Sequence, residues 1–575
     1  MGFKNDIQEV CMKVYVYTRE VDKDSYPDGL ARSVHMACGT KSSADSGEER
    51  QALNRNYGIL FAKGEITEKN TILPLGVKNP KIFVMEDGVV GISAERVYES
   101  GDTDERTIGK VLLWKTQDLI NFSDEEMIQA EDIEKFAPSD SLDVDSEIVE
   151  RACRYWNPIV CTGVSVPEEV IVGGETEACD EGAEQKSGGT KAGTAEQQLD
   201  SVKAVVSYSD GSGREKKVCW DKSGLNFNVP GEYRVSGKVS QQRFKFPLAK
   251  GYGDPVIFPW EGKWYFISTN DNLNDIGIYV READEVEGLF ADGVEQHLIL
   301  PFDPERGFEQ TFWAPEFHVI GGELYILFAV SGHVWGPQCH MMKKKKGASI
   351  IDADSWENPI RVCRMDGSYL AEKEGSITLD MTYIKAESGS YVIWSYREKM
   401  GTEYDTGSML YIASIDEKEP WKLTSEPVLL TRPLYGWENV SGTINNEGPY
   451  AFLKDGKVYV TYSGGAANGY TYVLGLFTAD EDKNLLDMSN WTKSKTSVLN
   501  FYSVKGEYGP GHNSFFTNED GEMMIAYHGE TELHSNLRCD GIRRVHFRAN
   551  GTPYFQMSAD EDLQDTEVSM RVVVK

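Results

Sequence analysis

Long apolar runs are missing from this 575-residue chain, and so is any excess of basic residues. No stretch approaches the roughly 20 consecutive apolar residues that a helix needs to cross a bilayer. The N-terminal MGFKNDIQEVCMKVYVYTRE carries charges where a secretory leader has an uninterrupted apolar segment. These absences predict a cytoplasmic protein with no membrane partner, or an exported one whose leader has been removed. Lys and Arg number 59 against 92 Asp and Glu, a formal net charge of −33. That field repels nucleic acid and anionic lipid, keeps the protein soluble and tolerates a neutral sugar polymer. Cysteine is odd in number at nine, with no C-x-x-C pair and no zinc-type Cys/His spacing. Free thiols are expected rather than a disulfide framework. No organic cofactor is expected, and the oligomeric state is open.

What is present is aromatic residues at 11 % and 55 glycines, a composition of strands and turns. The length exceeds one core, so several domains are expected in an all-β chain. Five stretches share one plan, in which a polar or acidic turn leads into alternating apolar residues, a Gly and an aromatic-rich strand. They are DPVIFPWEGKWYFIST from Asp254, APEFHVIGGELYILFAV from Ala314, DMTYIKAESGSYVIWSYR from Asp380, EGPYAFLKDGKVYVTYSGG from Glu447 and HNSFFTNEDGEMMIAYHG from His512. Their starts lie 60, 66, 67 and 65 residues apart. A period of this size built from short strands predicts a five-bladed β-propeller over 247–575. The innermost strand of each blade starts near the axis. Asp254, Asp380 and Glu447, taken as equivalent positions of the repeat, should therefore converge in one pocket.

Before the repeat, residues 1–163 read as strands, among them CMKVYVYTREV, YGILFAKG, GKVLLWKTQDLINF and EIVERACRYW. NPKIFVMEDGVVGI looks like a sixth blade opening, with Asn79 where the later units carry an acid. A propeller-like β module without a second active site is expected there. Residues 164–246 alternate with period two around Asp-Gly and Pro-Gly turns and predict a small β-sandwich. A disordered acidic Gly-rich loop is expected near 174–198. The run YSDGS to GEYRVSG resembles bacterial Ig-like domains.

Two carboxyl groups of unlike pKa can hydrolyse a glycosidic bond, one protonating the leaving oxygen and the other activating water or attacking. Asp254 sits between Gly253 and Pro255, and Glu447 precedes Gly448 and Pro449, each at a fixed strand start. A negative Asp380 would raise the pKa of Glu447 and leave Asp254 ionised as base. Trp313 could stack on a sugar face or belong to the core. The KKKK run at 343–346 reads as a solvated loop.

GDPVIF at 253–258, WAPEFH at 313–318, LDMTYI at 379–384, NNEGPYAFLKDGKVYVTYSGG at 445–465 and GPGHNSFF at 509–516 together resemble glycoside hydrolase family 43. The resemblance covers roughly 250–555. It implies a five-bladed propeller and inverting hydrolysis of arabinosides or xylosides. Asp254 would be general base, Glu447 general acid, and Asp380 the residue that orients Glu447 and tunes its pKa. His512 matches a family position near the axis that helps hold calcium or another cation. Arg538 falls near the family's late Arg, which approaches the sugar, with Arg543 or Arg544 as alternatives.

The reading is an exo-acting enzyme releasing L-arabinofuranose or D-xylose from plant-type oligo- or polysaccharides, its pocket walled partly by the N-terminal module. A propeller glycosidase for another glycone such as galactose and an inactive sugar-binding propeller are the alternatives. A fructosidase would need an early Asn-Asp-Pro-Asn motif, and a phosphorylase a basic phosphate cluster at the blade starts. Neither is present.

Overall fold

In the computed structural model, residues 11–39, 50–173, 194–371 and 375–575 are described. The chain divides into two compact units, Met1–Asn157 with Phe244–Val545, and Pro158–Arg243 with His546–Lys575.

The first unit contains five four-stranded antiparallel sheets in sequence, the blades of a propeller. Blade I is built from Gly253–Trp260, Lys263–Thr269, Ile278–Ala283 and His297–Leu300. Blade II comprises Gln310–Ile320, Glu323–Ser331, Gln338–Lys343 and Ile360–Arg361. Blade III comprises Ser376–Ala386, Gly389–Glu398, Met409–Ser414 and Val428–Thr431. Blade IV comprises Asn446–Lys454, Lys457–Gly464, Val473–Asp480 and Thr492–Lys493. Blade V takes three strands from the C-terminal side, Tyr508–Thr517, Met523–Glu530 and Cys539–Arg544. Its fourth is Ala249–Lys250, from the chain just ahead of blade I, so the first and last parts of the repeat share one sheet. Apolar side chains fill the spaces between blades, with Trp394, Leu327 and Met381 joining blades II and III, and Ile257, Phe266 and Met524 joining blades I and V.

Every innermost strand is broken near its start by a shift in pairing register. At one break in each strand a residue has positive φ: Asp254 (57°), Ala314 (43°), Asp380 (53°), Gly448 (56°) and His512 (22°). A bulge of this kind kinks the strand and re-aims one side chain. These five residues are the true equivalents of the repeat. Glu447 is therefore not in phase with Asp254 and Asp380, contrary to the expectation from the repeat. It occupies the preceding position, which holds Gly253, Trp313, Leu379 and Gly511 in the other blades.

The N-terminal part of the first unit holds two further four-stranded sheets. One, over Leu75–Val84, Val90–Tyr98, Lys110–Thr116 and Glu126–Gln129, is blade-like and has the same bulge, with Asn79 at φ 51°. EIVERACRYW is not a strand. Ser146–Trp156 is a helix, with the Asp145 side chain accepting from the Glu147 and Ile148 amides. Its apolar Ile148, Val149, Ala152, Cys153 and Trp156 recur at helical spacing and pack on the module's core. Residues 57–64 do not form the extended strand expected of YGILFAKG.

The second unit contains the sandwich expected over 164–246, but residues 546–575 belong to it as well. Its larger sheet runs Glu169–Val172, Thr566–Val574, Gly231–Val239, Cys219–Trp220. The C-terminal strand, expected to belong to the propeller, is thus central in the sandwich, parallel to one neighbour and antiparallel to the other. Its Met570, Val572 and Val574 enter a core with Val206, Val235 and Val239. Ending the chain at Asp565 removes this central strand, and we expect proteolysis confined to 158–243 and the new C-terminus. Unchanged protease resistance of that unit would contradict the expectation. Of the loop expected near 174–198, residues 174–193 lie outside the described residues. Residues Ala195–Asp200 form a short helix with a Thr194/Gln197 capping box. Among the described residues no helix is long and apolar enough to cross a membrane.

Candidate active site

The bulges deliver their side chains to the floor of a cavity of about 800 Å³. Asp254, Asp380, Glu447 and His512 line it. The wall comes largely from the loops between second and third strands, which the antiparallel order places on the same face as the strand starts. Blade I contributes Asp271, Asn274 and Asp275, blade III Met400, blade IV Ala466, Ala467, Asn468 and Tyr472, and blade V Asn536 and Arg538. Trp313 completes the ring from blade II. Among the described residues none from the N-terminal module lines the cavity, so the expectation that this module walls the pocket is corrected. It braces the wall from behind. Its Tyr26, Leu30 and Phe61 share a core with Trp437, Tyr470 and Phe501, and the Asp24 carbonyl accepts from His534 Nε2 at 2.7 Å.

Asp254 is buried and held on both oxygens. Arg538 Nη1 lies 3.1 and 3.3 Å from them, Thr269 Oγ1 donates to Oδ2 at 2.5 Å, and His512 Nδ1 is 3.2 Å from Oδ1. Burial disfavours its charge, but the Arg538 and His512 cations outweigh burial and hold the carboxyl well below the usual range. Arg538 is fixed in turn by Asp271, through Nε at 2.9 Å and through Nη2. A side chain at Gly253 would place its Cβ 2.1 Å from the Arg538 guanidinium carbon, which explains the glycine.

Glu447 and Asp380 titrate in the opposite sense. Burial pushes both upward, and repulsion from Glu447 and Asp254 adds to it at Asp380, which reaches about 8. At Glu447 burial is joined by repulsion from Asp254, with the Tyr472 hydroxyl and the His512 cation opposing. Asp380 Oδ2 also accepts the Gly448 amide at 2.9 Å, which ties the blade III acid to the residue after Glu447. A Cβ at Gly448 would meet the His512 ring at 2.8 Å. Burial also opposes charge on His512, yet Asp254, Asp380 and Glu316 raise it to about 9. Three carboxyls thus face two cations, and near neutral pH the pair Glu447/Asp380 retains a proton.

A second layer joins acid to base. The Tyr472 hydroxyl donates to Glu447 Oε1 at 3.0 Å, and its ring stacks on His528 at 5.4 Å with 8° between planes. His528 Nε2 faces the Ala467 carbonyl at 3.0 Å and must carry the proton, so Nδ1 accepts the Asp254 amide at 3.1 Å. Burial keeps this imidazole neutral, its pKa lowered to about 3. A Cβ at Gly511 would strike the Tyr472 ring at 2.2 Å. The Tyr472 bond favours ionised Glu447. In Tyr472→Phe we expect the alkaline limb of the pH–rate profile to move to higher pH and turnover to fall about tenfold. An unmoved limb would contradict the role.

Asp254, Trp313, Asp380, Glu447, His512 and Arg538, all singled out from the sequence, line this cavity. Trp313 lines it and is fixed by donating Nε1 to Asp275 at 2.8 Å. Arg538 faces it, whereas Arg543 is turned to Tyr527 and Glu507 within blade V. Reasoning from strand starts missed Asp271, Asp275, Tyr472 and His528. Their signal was the polar tract NDNLND after the second strand of blade I, the Tyr at the matching turn of blade IV and the His near the end of the second strand of blade V. His512, the one residue implied as a cation ligand, turns Nδ1 to Asp254 at 3.2 Å. Among the described residues no three His, Cys, Asp or Glu side chains are grouped to hold a metal.

Comparison with known proteins gives the family. Residues 296–553 match glycosyl hydrolases family 43, and residues 200–242 match the bacterial Ig-like domain (group 4). An extracellular exo-α-(1→5)-L-arabinofuranosidase of Streptomyces avermitilis is 30 % identical over 54 % of this chain and 63 % of its own length. One of the same description from Streptomyces chartreusis is 30 % identical over 52 % of this chain and 86 % of its own. The solved structure of an α-L-arabinofuranosidase from Lactobacillus brevis is 27 % identical, covering 56 % of this chain and 98 % of its own, with a TM-score of 0.48. The chain spans somewhat under two thirds of the Streptomyces avermitilis relative.

Proposed function

The chain belongs to glycosyl hydrolases family 43, and from that premise we propose that it is an inverting, exo-acting α-L-arabinofuranosidase. The observation that carries this is the meeting of three carboxyls on one cavity floor, the buried Asp254 held ionised and the buried Asp380 with the partly buried Glu447 holding a proton. Glu447 gives its proton to the glycosidic oxygen as the bond to the anomeric carbon breaks. Tyr472 then stabilises the carboxylate that is left, and Asp380 keeps it in place through the Gly448 amide. Asp254 orients a water on the opposite face. A carboxylate this acidic is a weak base, but an oxocarbenium-like carbon makes the attacking water acidic, so late proton transfer to Asp254 suffices. Lining residues from all five blades ring the cavity, which supports removal of terminal sugars over cleavage within a threaded chain.

The names of the Streptomyces relatives support arabinose as glycone, an arabinose-bearing saccharide as substrate, and the exported placement over the cytoplasmic one. A screen on aryl α-L-arabinofuranoside, β-D-xyloside and galactoside, with Asp254→Asn as control, tests the reading. Hydrolysis of the arabinofuranoside alone is expected. Preference for xyloside or galactoside would reassign the glycone, and silence on all three would favour a sugar-binding propeller.

A further inference from the structure

Blade II departs from the other four at the catalytic face. Its loop between second and third strands, 332–337, gives no residue to the catalytic cavity. It instead separates that cavity from a second one of about 710 Å³, lined by Arg306, Phe308, His333, Val334, Arg361 and Tyr369 among others. Strand direction puts this second cavity on the same face, radially outward, because the 301–309 loop, the end of Glu323–Ser331 and the start of Gln338–Lys343 all lie there. Trp335, 40 % exposed, turns edge-on to Trp313 at 6.4 Å and carries an aromatic surface from one cavity towards the other.

The chemistry of the second cavity is unusual for so acidic a chain. Among the described residues no Asp or Glu lines it. Arg306 is neutralised by Asp303 at 2.6 Å, and His333 lies 3.7 Å from Glu309. Arg361 has only neutral partners among the described residues, since Nη2 donates to Gln338 Oε1 at 2.8 Å and to the Ala371 carbonyl at 2.9 Å. Its guanidinium is held 3.8 Å over the Tyr369 ring, and Tyr369 is 52 % exposed. Both hydrogen bonds use Nη2, the nitrogen that either bidentate edge needs, so Nη1 is left to meet a carboxylate through a single charge-assisted hydrogen bond. A partly buried cation without a counter-ion among the described residues, beside a half-exposed ring and one loop away from a sugar-cleaving pocket, selects an anionic sugar.

We propose that this cavity binds a uronic acid of the saccharide that bears the arabinose, the carboxylate on Arg361 and the sugar face on Tyr369, with Trp335 guiding the chain between the two sites. The inference rests on the arabinofuranosidase reading for the attached glycone, but the anion site can be measured separately.

Two experiments test it on the full-length chain. In kinetics, wild type should show kcat/KM at least tenfold higher on an arabinofuranosylated oligosaccharide carrying a uronic acid than on its neutral counterpart. Arg361→Gln should erase that preference through KM and leave the aryl arabinofuranoside rate unchanged, and Trp335→Ala should weaken both oligosaccharides but not the aryl substrate. The wild-type preference should also shrink in 0.5 M salt. Equal rates on the two oligosaccharides in wild type, or an equal loss on all three substrates in Arg361→Gln, would overturn the proposal and make Arg361 a strut for Gln338 and Ala371. In calorimetry, an oligouronate without arabinose should bind wild type and not Arg361→Gln. Binding without hydrolysis of any arabinofuranoside would sink the activity reading and leave the anion site standing. Absence of binding would sink the site alone.

Discussion

Asp254→Asn is expected to lower kcat on every arabinofuranoside by roughly 10,000-fold, aryl and saccharide substrates alike. The uniformity follows from the role, because water must be oriented and finally deprotonated whatever the leaving group is. Arg538 and Thr269 would still reach the amide oxygen that replaces the carboxylate, so the variant should bind arabinose and unfold near the wild-type temperature. If it keeps more than a tenth of wild-type turnover while folded, Asp254 is not the base. The ionisation of Asp254 also fixes the acid side of the pH profile. Its carboxyl is held well below the ordinary range, so loss of the base form should not limit the rate until the solution is strongly acidic.

Glu447→Gln should divide substrates by leaving group. Saccharide and alkyl arabinofuranosides, which need a proton to depart, should lose about 1,000-fold or more, whereas an activated dinitrophenyl arabinofuranoside should lose about tenfold. An equal loss on both would contradict proton donation by Glu447. The pH dependence has a definite sign. Glu447 works protonated, and burial has raised its pKa, so activity is present below that value and falls as pH rises through it. In Glu447→Gln the alkaline limb on the activated substrate should disappear.

Much of this site was legible in the sequence, and the way it was legible is instructive. Asp254 and Asp380 stood out because a bulge residue at each blade start faces the axis, a placement fixed by periodicity alone. Glu447 was found for a partly wrong reason. The strong Glu-Gly-Pro signal was aligned on its acid, whereas the geometric equivalent of Asp254 is Gly448, which is glycine because the His512 ring leaves no room for a Cβ. The acid thus reaches the cavity from a different backbone position than the base and the Asp380 carboxyl. That offset gives each its own partners: Tyr472 for Glu447, the Gly448 amide for Asp380, and Arg538 for Asp254.

Tyr472 and Asp271 carried a polar signal but no position that could be read from the sequence. Loops between second and third strands have no common pattern, and only the antiparallel order of a folded blade brings them over the strand starts. The helix Ser146–Trp156 was lost to the β-rich surroundings, although its apolar spacing was helical. The last strand was misplaced because its partner Gly231–Val239 lies more than 300 residues earlier, a pairing that no local signal carries.

The central claim is direct displacement by water, with Asp254 and Glu447 on opposite faces of the sugar. Proton NMR of the first sugar released from an aryl α-L-arabinofuranoside, followed before mutarotation, tests it most directly. The account predicts that β-L-arabinofuranose appears first. First appearance of the α-anomer would mean a covalent intermediate and would contradict the roles given to Asp254 and its water.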